Sequence, residues 1–163
     1  MCIRASLQIA QVAAILANRG TFFPPRLVIA TSNADHTAFT APEIPPPRTI
    51  GHFRPEQWAA VIEGMRKAAQ PGGTAQKIGQ GLKYSLAAKT GTAQIFNLQS
   101  DQKYEVDKVK AHLRDHSWFM GFAPVDNPKI AIAVLIENKY QTSGAEIARR
   151  VLDHFFSDLD NAP

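Results

Sequence analysis

The chain has 163 residues, a length that fits one domain or one large piece of a bigger one. Apolar residues make up 45% and charged residues 20%, enough to bury a core and too apolar a balance for a disordered chain. The net charge of +4 is spread over scattered lysines and arginines with no basic run, which argues against nucleic acid; the lone cysteine, Cys2, excludes a disulfide framework and a cysteine-based metal site.

Residues 6–19 are apolar nearly all round and end at Gly20, which predicts a helix buried on most sides. Such a helix opening so close to Met1 is unusual. Arg26–Ala30 is a short strand candidate, and 31–52, with Pro42, Pro45, Pro46 and Pro47, reads as loop. Pro55 suits the first position of a helix whose apolar residues Trp58, Val61, Ile62, Met65 and Ala69 follow at helical spacing until Pro71-Gly72-Gly73 stops it. Residues 83–96 read as a strand with a polar insert, and 97–115 as a charged, solvated loop or flap. Ser117–Ala123 is a second strand. Ile130–Glu137 is a third, a nearly continuous apolar run of the kind covered on both faces. Ser143 and Glu146 have capping-box spacing before a final helix with apolar residues Ile147, Val151, Leu152, Phe155 and Leu159. Successive strands joined by loops favour antiparallel pairing, so the expected class is α+β, an antiparallel sheet flanked by helices.

The chemistry concentrates in Lys89-Thr90-Gly91-Thr92, polar residues within an otherwise apolar strand. Strand alternation puts Lys89 and Gly91 on one face, Thr90 and Thr92 on the other. An ammonium, two hydroxyls and a glycine that lets backbone approach closely together form a receptor for an extended peptide ending in a carboxylate. The alternative for the same residues is an edge strand with a protective lysine and a bulge glycine.

Lys-Thr-Gly is the third motif of penicillin-binding proteins and serine β-lactamases, and Ala88-Lys89-Thr90-Gly91-Thr92-Ala93-Gln94 resembles the class B penicillin-binding proteins. Leu7–Ala10, Ala17–Gly20, Gly72-Gly73-Thr74-Ala75, Trp118–Pro124, the 130–138 strand and Ala148–Leu152 match in the same order, closest to the elongation-specific penicillin-binding protein 2 type. The resemblance implies a partial penicillin-binding/β-lactamase-like transpeptidase domain, a piece of a D,D-transpeptidase site between a five-stranded sheet and a helical subdomain. In it the Lys-Thr-Gly strand binds a D-Ala-D-Ala peptidoglycan stem peptide, or a β-lactam mimicking it, as an added strand. Lys89 would then serve the proton network, Thr90 and Thr92 the substrate carboxylate, and the Thr92 N–H the oxyanion. No cofactor is implied.

The family also needs Ser-x-x-Lys and Ser-x-Asn motifs upstream of Lys-Thr-Gly. Ser100-Asp101-Gln102-Lys103 fits the first in letters but lies downstream of Lys89 in a polar stretch, and no Ser-x-Asn occurs. Without an activated oxygen there is no acyl transfer, so residues 1–163 are expected to be the C-terminal portion of the domain, inactive alone, with the serine half and membrane anchor absent. A non-catalytic binding or interaction module, partnered by the missing half or other cell-wall synthesis proteins, is the rival; a hydrolase using Ser100 is a weaker one. No apolar run reaches the ~18 residues of a membrane span, and Met1-Cys2-Ile3-Arg4 has no secretion-signal layout. Placement on the outer, periplasmic face of the cytoplasmic membrane follows from the resemblance alone. His112 and His116 have helical zinc spacing, but Leu113 stands where a metalloprotease carries Glu and no third ligand is near, so no metal is expected. Gly79-Gln80-Gly81-Leu82 lacks the lysine and hydroxyl of a phosphate loop. A half-sheet with an open edge is expected to self-associate.

Overall fold

The computed structural model describes residues 3–95, 106–107 and 109–160. Helices α1 (Ile3–Ala17), α2 (Pro55–Ala68), α3 (Gln76–Gly79) and α4 (Gly144–Asp160) surround strands β5 (Ala87–Ala93), β6 (His116–Ala123) and β7 (Ile130–Ile136), with a 3₁₀ turn at Ala111–Leu113. These strands form an antiparallel sheet in the order β5-β6-β7, so both outer strands have one edge without a strand partner among the described residues. The expected α+β class is what the chain adopts.

The register fixes the two faces. Lys89 pairs with Met120, which pairs in turn with Ala133, while Thr90 pairs with Phe119, which pairs with Val134. Phe119, Ala88 and Ala123 pack toward α4 with Ala145, Ala148 and Leu152; Phe122 and Ala87 pack on the opposite face with Ala17, Ile62 and Met65 of α1 and α2. Phe119, Phe122 and Leu152 are the largest fully buried side chains, each contributing about 1.5–3 kcal/mol of burial.

Several elements differ from the expectation. Arg26–Ala30 is not a strand: its residues are exposed, with Leu27 at 82% and Ile29 at 85%. Its β-branched composition finds no neighbour to pair with. The 31–52 stretch read as loop instead holds a small antiparallel ladder of β2 (Thr31–Ser32) with β3 (Phe39–Thr40), and β4 (Arg48–Thr49), which pairs antiparallel with β1 (Thr21–Phe22) ahead of it. Helix α1 is only half covered, with Ala13 and Ala17 buried and Val12 exposed. On α2, Ile62 and Met65 are buried but Val61 faces out. The buried stripe of α4 is Ala145, Ala148 and Leu152 with Phe156 packed behind it, while Val151 and Leu159 are exposed. Small residues carry that stripe because the helix lies close on the sheet: a Cβ at Gly144 would stand 3.2 Å from the Val134 carbonyl oxygen.

The caps follow the sequence more closely. Glu146 accepts from the Ser143 N–H at 2.8 Å while Ser143 Oγ accepts from the Glu146 N–H at 3.3 Å, the reciprocal capping box. The Ser143 N–H, above all, holds the Glu146 carboxyl below the usual carboxylate range. Ser117 Oγ accepts the Gly144 N–H at 3.1 Å and ties the start of α4 to β6. Ahead of β5, Tyr84 stacks on Phe156 at 4.3 Å and donates to Asp153 at 2.9 Å; burial, then that bond, raises its phenol pKa.

Candidate functional site

β5 changes character along its length. Ala87 and Ala88 are buried in the two cores, whereas Lys89, Gly91 and Thr92 are exposed and Thr90 is half-buried. The strand is thus anchored at its start and presents its polar half along an edge with no strand beside it among the described residues. An edge strand carries outward N–H and C=O groups ready to pair with another extended chain.

The side chains divide as alternation requires. Lys89 and Gly91 lie on the face shared with α2, Thr90 and Thr92 on the face shared with α4, by the register with β6. Lys89 lines an open cleft of about 660 Å³ with Gly64, Lys67 and Ala68 of α2 and with Gly73 and Thr74. Its ammonium donates to the Thr90 carbonyl oxygen. The Thr90 hydroxyl donates to the Thr74 hydroxyl at 3.0 Å, so the threonine nearest the lysine is held by the loop that ends α2.

That loop depends on a glycine. A Cβ at Gly73 would fall 2.3 Å from the Ala68 carbonyl oxygen and 2.4 Å from that of Lys67, so only glycine lets the turn fold onto the end of α2 and deliver Thr74. Gly91 is explained differently. A Cβ there would touch only Trp118 Cβ, at 3.3 Å. Nothing else among the described residues lies within 4 Å of that position.

Sequence reasoning thus placed Lys89, Thr90, Gly91 and Thr92 on one accessible edge but missed Thr74 as a partner. Pro71-Gly72-Gly73 marked the end of a helix and Gly72-Gly73-Thr74-Ala75 one of the ordered matches, and nothing local links Thr74 to a residue sixteen positions on. His112 and His116 are not on one helix: the first sits in the 3₁₀ turn and the second opens β6. His116 Nδ1 accepts the Asn138 N–H at 2.9 Å, a structural bond. Among the described residues, no group of three or more His, Cys, Asp or Glu could hold a metal ion. Ser100 and the strand end at Phe96 lie outside the described residues, as does most of the expected flap.

Fold and edge together define an α+β domain whose sheet ends, among the described residues, in an exposed polar edge strand. Residues 5–156 match the penicillin-binding protein transpeptidase domain, and the chain belongs to that family. It is 34% identical over 154 residues to the peptidoglycan D,D-transpeptidase MrdA of Haemophilus influenzae, covering 93% of this chain and 23% of that protein. The chain therefore spans about a quarter of that relative's length. Penicillin-binding protein 2 of Pseudomonas aeruginosa, solved in complex with WCK 5153, superimposes with a TM-score of 0.66 at 33% identity, over 94% of this chain and 30% of that one. Penicillin-binding protein A of M. tuberculosis, solved as an imipenem acyl-enzyme complex, gives 0.61 at 29% identity, over 91% and 30% respectively. The likeness is to the penicillin-binding protein 2 type of class B transpeptidase domain.

Proposed function

We propose that this chain is the substrate-strand portion of a peptidoglycan D,D-transpeptidase, with residues 1–163 as the C-terminal part of the domain. The observation that carries the reading is the polar half of β5, exposed along an unpaired edge beside the Lys89 cleft. A D-Ala-D-Ala stem peptide, or a β-lactam such as the imipenem held by the mycobacterial relative, adds to that edge as a strand. Its terminal carboxylate meets the hydroxyls of Thr90 and Thr92, and the Thr92 N–H faces the scissile carbonyl oxygen. Lys89 supplies positive charge and a proton path next to the reacting carbonyl.

The attacking serine is supplied from outside these residues, because no Ser-x-x-Lys precedes Lys89 among them. By itself the chain orients and polarises a ligand without cleaving it. It works with the serine half of the domain and other cell-wall synthesis proteins, on the outer face of the cytoplasmic membrane. Fluorescent penicillin tests the missing nucleophile: no stable covalent label is expected on the 163-residue chain, and a label surviving denaturation refutes the reading.

The same absence of an ordered serine motif supports a second reading, a non-catalytic D-Ala-D-Ala or β-lactam binding module. Saturable binding of a D-Ala-D-Ala peptide, lost in Lys89→Ala and Thr92→Val, is expected for either reading. Retained binding in both variants rules out the β5 edge as the receptor.

A further inference from the structure

The other free edge of the sheet has a self-complementary sequence. β7 is Ile130–Ile136, all apolar and all half-buried, and the residues that flank it are Lys129 and Glu137, both exposed. Ala133 is the midpoint of the strand and of the two charges. Ile130, Ile132 and Val134 pack toward α4, and Ala131 packs on the opposite face. Strand alternation gives Lys129, Ala133, Leu135 and Glu137 the face of Ala131. No strand lies beside the outer edge of β7 among the described residues, and the N–H and C=O groups along such an edge take up another strand. Arg149 of α4 donates to the Ile78 and Gln80 carbonyl oxygens of the segment leading into β5. Val151, two residues on, lies round the helix from that segment and is 45% exposed, so α4 adds an apolar side chain on its flank away from β5.

The flanking charges say which strand fits. When β7 of a second copy lies antiparallel along this edge, with a two-fold axis at Ala133, apolar residues meet apolar residues along the whole strand. The same axis sets Lys129 opposite the partner's Glu137, and Glu137 opposite the partner's Lys129, on one face of the joined sheet. Moving the axis by one residue sets Lys129 against the partner's Leu135 or the partner's Lys139, and leaves Glu137 with no countercharge opposite it. A slip of one residue in register turns the faces against each other. β5 of a second copy is a poorer partner, because Lys89, Thr90 and Thr92 would stand against apolar side chains and such head-to-tail pairing has no closure. Glu137 already has a contact within its own chain, to which the partner's lysine adds. We infer that β7 is a homodimer interface, two copies of this chain joining edge to edge about Ala133 with Lys129 of each against Glu137 of the other. Pairing of this kind occupies both β7 edges and stops at two copies.

Sedimentation equilibrium of the 163-residue chain over a concentration series, with amide hydrogen exchange on the same samples, tests this. The mass is expected to level off at twice that of the monomer, and the amides of 130–136 to gain protection as the dimer forms. Lys129→Glu and Glu137→Lys each set like charges opposite one another at both ends of the joined strands. Each should raise the dimer dissociation constant about tenfold. The double variant Lys129→Glu/Glu137→Lys restores opposite charges and should return it to the parental value. Added salt should narrow the gap between the single variants and the parent. A monomer at every concentration, or a mass that climbs past two copies, overturns the dimer. Single variants that associate as the parent does, or a double variant no better than either single one, overturn the pairing about Ala133. A monomer in which 130–136 is protected gives the edge to another segment of the chain and overturns the proposal as well.

Discussion

A glycine in a docking strand can serve packing or ligand approach, and Gly91→Ala separates the two. Gly91 lies directly opposite Trp118, and an added Cβ would stand 3.3 Å from Trp118 Cβ with nothing else within 4 Å. That separation is just inside ordinary van der Waals contact, so the pair must open by a few tenths of an ångström. Overfilling a closed core costs about 1–3 kcal/mol, but Gly91 is exposed on an edge strand that can give. Restricting the unfolded chain returns about 0.4–1 kcal/mol. The net change in stability is therefore expected within about 1 kcal/mol of zero. Gly121→Ala is the internal contrast: its Cβ would fall 2.6 Å from the Ala87 carbonyl oxygen, a backbone atom held in the sheet, and at least about 2 kcal/mol should be lost. Urea unfolding followed by tryptophan fluorescence gives both values. Titration with acetyl-L-norleucyl-D-Ala-D-Ala gives affinity, and Gly91→Ala should weaken it about tenfold or more, because the new methyl stands beside Lys89 where the ligand backbone must come close. Parental affinity in Gly91→Ala refutes the docking role of this glycine, and a stability loss matching Gly121→Ala makes it a packing residue.

Leu152→Ala, at a fully buried position in the α4 stripe, should cost about 2–5 kcal/mol in urea unfolding, against under about 1 kcal/mol for the 45% exposed Val151→Ala; similar costs would contradict the observed helix face. Thr74→Val removes the partner of the Thr90 hydroxyl and should weaken D-Ala-D-Ala peptide binding a few-fold, about the value of one exposed hydrogen bond; unchanged affinity would make Thr74 irrelevant to the site. The depressed Glu146 carboxyl contributes stability that is complete above the ordinary carboxylate pKa of 4.5 and is lost as pH falls through its lower folded value. Thermal melts from pH 7 to pH 3 should therefore show a smaller acid loss in Glu146→Gln than in the parent, and parallel curves would remove the capping carboxylate from the acid response. The outer edge of β7 should drive self-association, seen as a weight-average mass that rises with concentration in sedimentation; a single monomeric species at high concentration would contradict it.

What could be read from the sequence and what could not divides along the range of the forces. The Lys89–Thr92 edge, the capping box of α4 and Pro55 at the start of α2 depend on neighbours within a few positions, and the structure has them where expected. The buried stripe of α4 follows the expectation only at Leu152: Ala145 and Ala148 complete it where the sheet lies close, while Val151 and Leu159 face outward. Arg26–Ala30 has the composition of a strand without a partner to make it one. Thr74 reaches β5 only through the turn that ends α2, and no local periodicity reports such a contact.

The two open edges of the sheet differ in the chemistry they accept. β7 offers Ile130–Ile136, seven residues without a charge or a side-chain hydroxyl, so any apolar strand that fits gains by pairing there. β5 offers Lys89 with its ammonium folded onto the Thr90 carbonyl. A neutral strand arriving at β5 has to displace that ammonium and offers it no countercharge in return. A strand with an anionic end gives the ammonium and the hydroxyls new partners in the act of docking. On the proposed function, Lys89 is therefore expected to deter indiscriminate edge pairing and to favour a ligand that carries its own countercharge, while β7, with no such group along its length, is expected to pair with any apolar strand that fits.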